Sequence, residues 1–234
     1  MGQGLSLTTD TSLVLVCKKP ALHQGKQRLA ADLGAEQALA VAELLLACAL
    51  EDLSEWPGRI VIAPAHENDH NWARQLLKHR KCETLPQGSG NLGERLNYLD
   101  HELRSQKHTN IIYIGSDSPT LSFKHFLDTV RNLQIHDTVF SKASDGGVTI
   151  MANNKHWPDL SRLPWSTDTL GESLANLCRQ SGLTVGYSPS SQDVDHLKDL
   201  LSILPELSSD SRPARQALAK HIESVFKQGT LSHA

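Results

Sequence analysis

Short apolar runs, most of them β-branched, alternate with amphipathic segments along most of this chain, and no other feature restricts its possible folds as strongly. The runs are Leu13-Val14-Leu15-Val16-Cys17, Arg59-Ile60-Val61-Ile62-Ala63, Glu83-Thr84-Leu85, Ile111-Ile112-Tyr113-Ile114, Thr138-Val139-Phe140, Val148-Thr149-Ile150-Met151 and Thr184-Val185-Gly186-Tyr187. Their length and residue types predict strands. Helical composition or periodicity covers 30–53, 69–79, 92–103, 123–133 and 166–180, and then 196–204 and 213–226. Strands joined through helices make βαβ crossovers, so the fold class is α/β with a mostly parallel sheet covered on both faces. One connection, Asp145-Gly146-Gly147, is too short for a crossover, so an antiparallel excursion is expected there.

The chain has 234 residues, enough for a sizeable core without disulfide or metal staples. No internal repeat or interdomain linker interrupts it. The expected organisation is one domain over 1–208 with a helical appendage over 209–234. With 39% hydrophobic residues and a net charge of −3, the sequence fits neither a disordered chain nor a coiled coil. No basic block supports nucleic-acid or membrane-surface binding. Four cysteines lie far apart, three of them inside apolar stretches, as buried reduced thiols do. The start shows no basic segment followed by an apolar run, and the apolar stretch 38–50 is too short to span a bilayer. A soluble, cytoplasmic protein is the expectation. Gly2 with Ser6 meets a myristoylation pattern only weakly.

Ligands of open parallel sheets bind beyond the carboxyl ends of the strands, and the suggestive residues fall there. After the first run come Lys18-Lys19-Pro20 and then Gly25-Lys26-Gln27-Arg28, cations near a helix start that suit a phosphate group. A solvated basic loop is the plainer alternative. After Ile114 comes Gly115-Ser116-Asp117-Ser118-Pro119. Asp117 can offer a carboxylate to a hard cation such as Mg2+ or Mn2+ that also engages a diphosphate. Equally, residues of this type start helices, although Ser122 can cap the next one unaided. Ser144-Asp145-Gly146-Gly147 lets backbone approach a bound molecule, or is an ordinary tight turn. Asp193-Val194-Asp195 can supply a second metal ligand, a helix cap, or one of each. Trp165 lies on a loop before a helix, whereas Trp56, Trp72 and Trp157 read as packing residues.

Two short patterns mislead. His66-Glu67-Asn68-Asp69-His70 matches a zinc-protease motif, but it starts just after Pro64 and contains a cap sequence, so both histidines are not expected on one helix face. Gly88-Ser89-Gly90-Asn91-Leu92-Gly93 matches a dinucleotide-binding loop without following the first strand. Asp117 keeps a dehydrogenase reading formally open.

Taken in order, Lys18-Lys19-Pro20, Gly25-Lys26-Gln27-Arg28-Leu29, Leu92-Gly93-Glu94-Arg95, Gly115 through Leu121, Asp145-Gly146-Gly147, Trp165-Ser166-Thr167 and Asp193-Val194-Asp195 resemble a bacterial family of GT-A-type, nucleotide-diphospho-sugar-transferase-like proteins. Its members are often called radical-SAM/selenodomain-associated or arsenosugar-biosynthesis-type glycosyltransferases. The resemblance covers about 12–204 and accounts for the glycine-rich loop at 88–93 as the family's LGER segment. It implies a Rossmann-like GT-A sandwich that transfers a group from a nucleotide-activated donor, through Mg2+ or Mn2+, to a small-molecule acceptor. By the same resemblance Lys18, Pro20, Lys26, Arg28 and Gly115 would bind the nucleotide phosphates. Asp117 and Asp193 would hold the metal, Asp117 and Asp145 would be catalytic, and Gly146, Gly147 and Trp165 would face the substrate. A similar loop occurs in 2-phospholactate and molybdenum-cofactor guanylyltransferases, so nucleotidyl transfer is the alternative to glycosyl transfer. Gln27 stands where the family has threonine, Val148 where it has an aromatic residue, and His23 or Gln24 in place of a loop glycine. These departures leave a non-catalytic, nucleotide-binding member as a further alternative.

Overall fold

The computed structural model describes residues 8–231, with side chains described through residue 227, so the Gly2–Ser6 pattern lies outside the described residues. Seven strands form one sheet: β1 (Thr11–Cys17), β2 (Arg59–Pro64), β3 (Glu83–Thr84), β4 (Asn110–Ile114), β5 (Thr138–Lys142), β6 (Val148–Asn153) and β7 (Val185–Ser188). Their order across the sheet is β3-β2-β1-β4-β6-β5-β7. All neighbouring pairs are parallel except those of β6, which runs antiparallel to both β4 and β5. The Asp145-Gly146-Gly147 connection is thus the antiparallel excursion anticipated from its length.

Alternation along the central strands sends side chains to two cores. On one face Leu13, Leu15, Ile62, Ile112 and Ile114 pack with α2 (Ala35–Glu55) and α5 (Phe123–Leu133). On the other, Val14, Val61, Tyr113, Phe140 and Met151 meet α4 (Leu92–Ser105) and α6 (Leu170–Gln180). The strands read as continuous apolar runs because both faces are covered.

Three segments differ from the sequence expectation. The helix expected over 30–53 divides at Gly34, whose φ of 83° no helix accommodates, into α1 (Gln27–Leu33) and α2. Only His70–Ala73 of the segment 69–79 is α-helical (α3), preceded by a 3-10 turn at Glu67–Asp69. Residues 74–78 are good helix formers, yet the chain continues there as turns, from which Leu76 and Leu77 pack against the core beside Trp72 of α3. Finally, α6 begins only at Leu170, after a loop in which Ser166 adopts a left-handed φ of 65°.

At the C-terminal end, α7 (Leu197–Ser209) and α8 (Pro213–Leu231) build a third apolar cluster. Leu200, Ile203, Leu207, Leu218 and Ile222 pack there against Val41, Leu45 and Cys48 of α2. Arg212 and Arg215 run inward beside them to Asp52.

Candidate functional site

Parallel strands release their loops at one edge, and β1 and β4, adjacent at the centre, carry the crossovers that depart in opposite directions. That topological switch point opens a crevice. Here it is a cleft of about 760 Å³. Lys18, Pro20, Lys26 and Arg28 line it from the β1 loop, Gly115 and Asp117 from the β4 loop. Asp145, Gly147, Trp165, Asp193 and Asp195 complete its lining. Cationic and acidic residues more than ninety positions apart therefore share one cavity.

The β4 loop is shaped by its glycine. A Cβ on Gly115 would lie 2.6 Å from Asp117 Oδ1, so glycine leaves room for that carboxylate to fold back over the strand end. Asp117 does not cap α5. Ser122 and His125 make a reciprocal contact there, with the Ser122 backbone N–H donating to His125 Nδ1 at 3.2 Å. The Asp117 carboxylate instead lines the cleft, where it meets Lys26.

Segment 190–195 is laced onto the same loop by backbone. Val194 N–H donates to Asp117 O at 2.9 Å, and Gln192 N–H to Thr120 Oγ1 at 3.2 Å. These bonds bring Asp193 and Asp195 beside Asp117. Neither carboxylate caps α7, because Asp199 accepts from the backbone N–H groups of Asp195 and His196. The Asp195 side chain instead pairs with Lys26 at 3.1 Å and with Arg28 at 3.5 Å.

Lys26 is the centre of this arrangement. Its Nζ donates to Asp195 Oδ1, to Asp117 Oδ2 at 3.4 Å and to the Val194 carbonyl oxygen. Burial works against the ammonium, but the Asp117 and Asp195 charges outweigh it and raise its pKa above the ordinary lysine value. Asp193 has no such partner among the described residues. Burial, and then the neighbouring charges of Asp145, Asp117 and Asp195, push its carboxyl up to about 6.

Asp117, Asp145, Asp193 and Asp195 all line the cleft, and carboxylate oxygens are the kind of donor that Mg2+ and Mn2+ take. Among the described residues, no three His, Cys, Asp or Glu side chains are placed to hold a metal ion together. Charge complementarity thus fits a cation, with Lys26 supplying one positive charge already.

The Asp145 loop is an Asx turn in which Gly147 N–H donates to Asp145 Oδ1 at 2.9 Å. Gly147 borders the cleft, whereas Gly146 faces the other way. It holds φ at 90°, and a Cβ there would sit 1.9 Å from the Asp168 carbonyl oxygen. Trp165 is fixed by its Nε1–H donating to Leu160 O at 3.1 Å. His66 and His70 flank a 3-10 turn rather than sharing a helix face, which removes the zinc-protease pattern. Residues 88–93 lead into α4, where Asn91 and Glu94 form a capping box.

Sequence reasoning missed three residues here. Gln87 is buried and donates from Nε2 to Cys17 O and Ala63 O, tying the β1 and β2 strand ends together. Tyr113 lines the cleft floor, its hydroxyl donating to the buried Asp100 carboxylate at 3.3 Å. Arg95 lines the wall and donates to Gly90 O at 2.9 Å. Its place in the Leu-Gly-Glu-Arg segment was the available signal; Gln87 offered none.

The strand order and cleft position define a fold of the nucleotide-diphospho-sugar transferase type. A proposed nucleotide-diphospho-sugar transferase from Desulfovibrio desulfuricans G20 has a similar structure at 19% identity, with a TM-score of 0.82 over 94% of this chain and 98% of the other. A cytidylyltransferase from Leptospira borgpetersenii serovar Hardjo-bovis gives 13% identity and a TM-score of 0.56 over 95% and 96% of the two chains. The 4-diphosphocytidyl-2C-methyl-D-erythritol synthase of Anaerococcus prevotii DSM 20548 gives 14% and 0.54 over 85% and 98%. No curated protein matches the sequence. Residues 46–167 match the family described as "Uncharacterized protein conserved in bacteria (DUF2064)", and the chain belongs to that family.

Proposed function

We propose that the cleft binds a nucleotide-activated donor and that the chain transfers a group from it to an acceptor hydroxyl, most simply a glycosyl group from a nucleotide sugar. One observation carries this reading. The cations of the β1 loop and the acid of the β4 loop meet at the switch point, the position where α/β folds hold phosphates. The fold shared with the D. desulfuricans protein supports it.

In this reading Lys18, Lys26 and Arg28 contact the donor phosphates, with Pro20 and Gly115 shaping their loops. Asp117 and Asp193 hold Mg2+ or Mn2+, which would offset charge growing on the departing diphosphate. Asp145 and the Gly147 backbone face the acceptor side with Trp165, and Gly146 sets the turn that presents them. Residues 1–208 would carry this chemistry.

Nucleotidyl transfer is the second reading, favoured by the fold shared with the cytidylyltransferases. Product analysis separates the two. Incubation with Mn2+, a set of nucleotide sugars or nucleoside triphosphates, and candidate acceptors should release a nucleoside diphosphate if a glycosyl group moves. Pyrophosphate release would establish nucleotidyl transfer instead. A chain that binds nucleotides but releases neither product is a binding protein, as the substitutions at Gln27 and Val148 would allow.

A further inference from the structure

Gly88-Ser89-Gly90-Asn91-Leu92-Gly93 lies between β3 and α4, and each of its glycines has a steric task. A Cβ on Gly88 would press on the Tyr98 ring at 3.1 Å. Gly90 holds φ at 93°, and a Cβ there would run into the Glu94 carboxylate. A Cβ on Gly93, in the first turn of α4, would meet the Leu160 carbonyl oxygen and lie 2.8 Å from Trp165 Nε1. Glycine at 93 therefore lets α4 dock against the loop that carries Trp165, and glycine at 90 lets Glu94 fold back over the turn.

This turn orients Arg95, which lines the cleft. Arg95 Nε donates to Gly90 O at 2.9 Å, a bond that sets the plane of the guanidinium and leaves both Nη groups over. It is the side chain's one hydrogen bond among the described residues, where no carboxylate pairs with Arg95. The adjacent acid is committed elsewhere, because Glu94 Oε2 accepts from the Asn91 backbone N–H at 2.7 Å in the capping box. The cations of the β1 loop differ in this respect. Lys26 pairs with Asp117 and Asp195, and Arg28 with Asp195. Arg95 thus brings the cleft a positive charge that no described acid offsets.

We infer that Arg95 grips the diphosphate of the donor, its two Nη groups donating side by side to phosphate oxygens. This deepens the proposed function and rests on its nucleotide-binding reading. A planar guanidinium matches two phosphate oxygens at once, whereas an ammonium offers a point charge. The glycine-rich loop then serves phosphate near a helix start, as its likeness to a dinucleotide-binding loop suggests, but through a side chain that its glycines orient.

Titration calorimetry of the full-length protein with inorganic pyrophosphate tests this. Arg95→Gln should weaken pyrophosphate about tenfold or more, the scale of hydrogen bonds to a charged group. Arg95→Lys should recover only part of that loss, and Arg131→Gln, outside the cleft on α5, should bind like the parent. A second measurement needs no variant. Phenylglyoxal labelling of the parent, read by peptide mass spectrometry, should slow severalfold at Arg95 when pyrophosphate is added and stay unchanged at Arg131. The inference fails if Arg95→Gln folds and binds pyrophosphate like the parent, if Arg95→Lys restores binding fully, or if pyrophosphate leaves Arg95 labelling unchanged. A parent that does not bind pyrophosphate also overturns it. A nucleotide-induced rise in melting temperature that persists in those cases leaves the cleft assignment standing, and absence of that rise removes both.

Discussion

The Arg215 guanidinium donates from Nη2 to Asp52 Oδ2 at 2.6 Å, and both residues are almost completely buried. Nη1 reaches Cys48 O and Glu51, while Nε and Nη2 hold the Pro119 and Leu121 carbonyl oxygens. Arg212 adds a second cation on Asp52 and a further bond to Leu121 O. One charged knot therefore joins α8 and α2 to the β4 loop that carries Asp117. Removing one member of a buried pair strands the other, at a cost of about 3–5 kcal/mol. Arg215→Met should lose that much in urea denaturation, and Asp52→Leu added to it should recover part of the loss.

The same contacts make a prediction about the C-terminal segment. An appendage could be removed without consequence. Removal of 209–234 would instead uncover the α2 surface beneath Leu218, Ala219 and Ile222 and leave Asp52 without either guanidinium. Each fully buried Leu or Ile contributes roughly 1.5–3 kcal/mol, so the shortened chain should melt far below the parent or aggregate. An unchanged melting temperature would show that the segment is dispensable.

Asp193 sets a pH dependence. Burial and the charges of Asp145, Asp117 and Asp195 raise it to about 6 in the folded protein, against about 3.9 for a free Asp. Between those values the fold keeps a proton that the unfolded chain has released. This group's contribution to stability is therefore largest below pH 4 and declines as pH rises to about 6. Asp193→Asn should flatten that limb of the Tm–pH curve and melt above the parent at pH 7. A curve identical to the parent's would show that Asp193 does not titrate in this range.

Gly146 offers a local test of the acceptor loop. Its φ is 90°, and an added Cβ would fall 1.9 Å from Asp168 O, which leaves no space for alanine. Gly146→Ala should cost at least about 1–3 kcal/mol, the usual scale of backbone strain, and displace Asp145. Gly147→Ala, whose Cβ would meet the movable Asp145 carboxylate at 3.0 Å, should fold normally but disturb binding on that side. Circular dichroism melts of the two variants distinguish these outcomes.

Local pattern made much of the fold legible. The 123–133 helix has the expected limits, and the apolar runs at Leu13 and Ile111 are the central strands β1 and β4. The division at Gly34 was written in a single glycine that strong helix formers on both sides outweighed. The turns after Ala73 were harder to see, because Leu76 and Leu77 continue the helical spacing of Trp72 but pack from turns. Candidate residues were recognisable as loop residues after strands. Their partners were not, since the Val194–Asp117 backbone bond and the Lys26–Asp195 pair depend on how distant segments dock. Nothing local could show that Lys26 faces carboxylates rather than solvent.

Nucleotide binding measured by thermal shift, with and without Mn2+, tests the central claim most directly. A ligand at a hundred times its Kd stabilises by about 2.7 kcal/mol, which for a chain of this size raises Tm by roughly 5–10 °C. At least one nucleotide or nucleotide sugar should produce such a rise in the presence of Mn2+, and Asp117→Ala should abolish the metal-dependent part. A full panel that leaves Tm unchanged, or an Asp117→Ala protein that responds like the parent, would contradict the account.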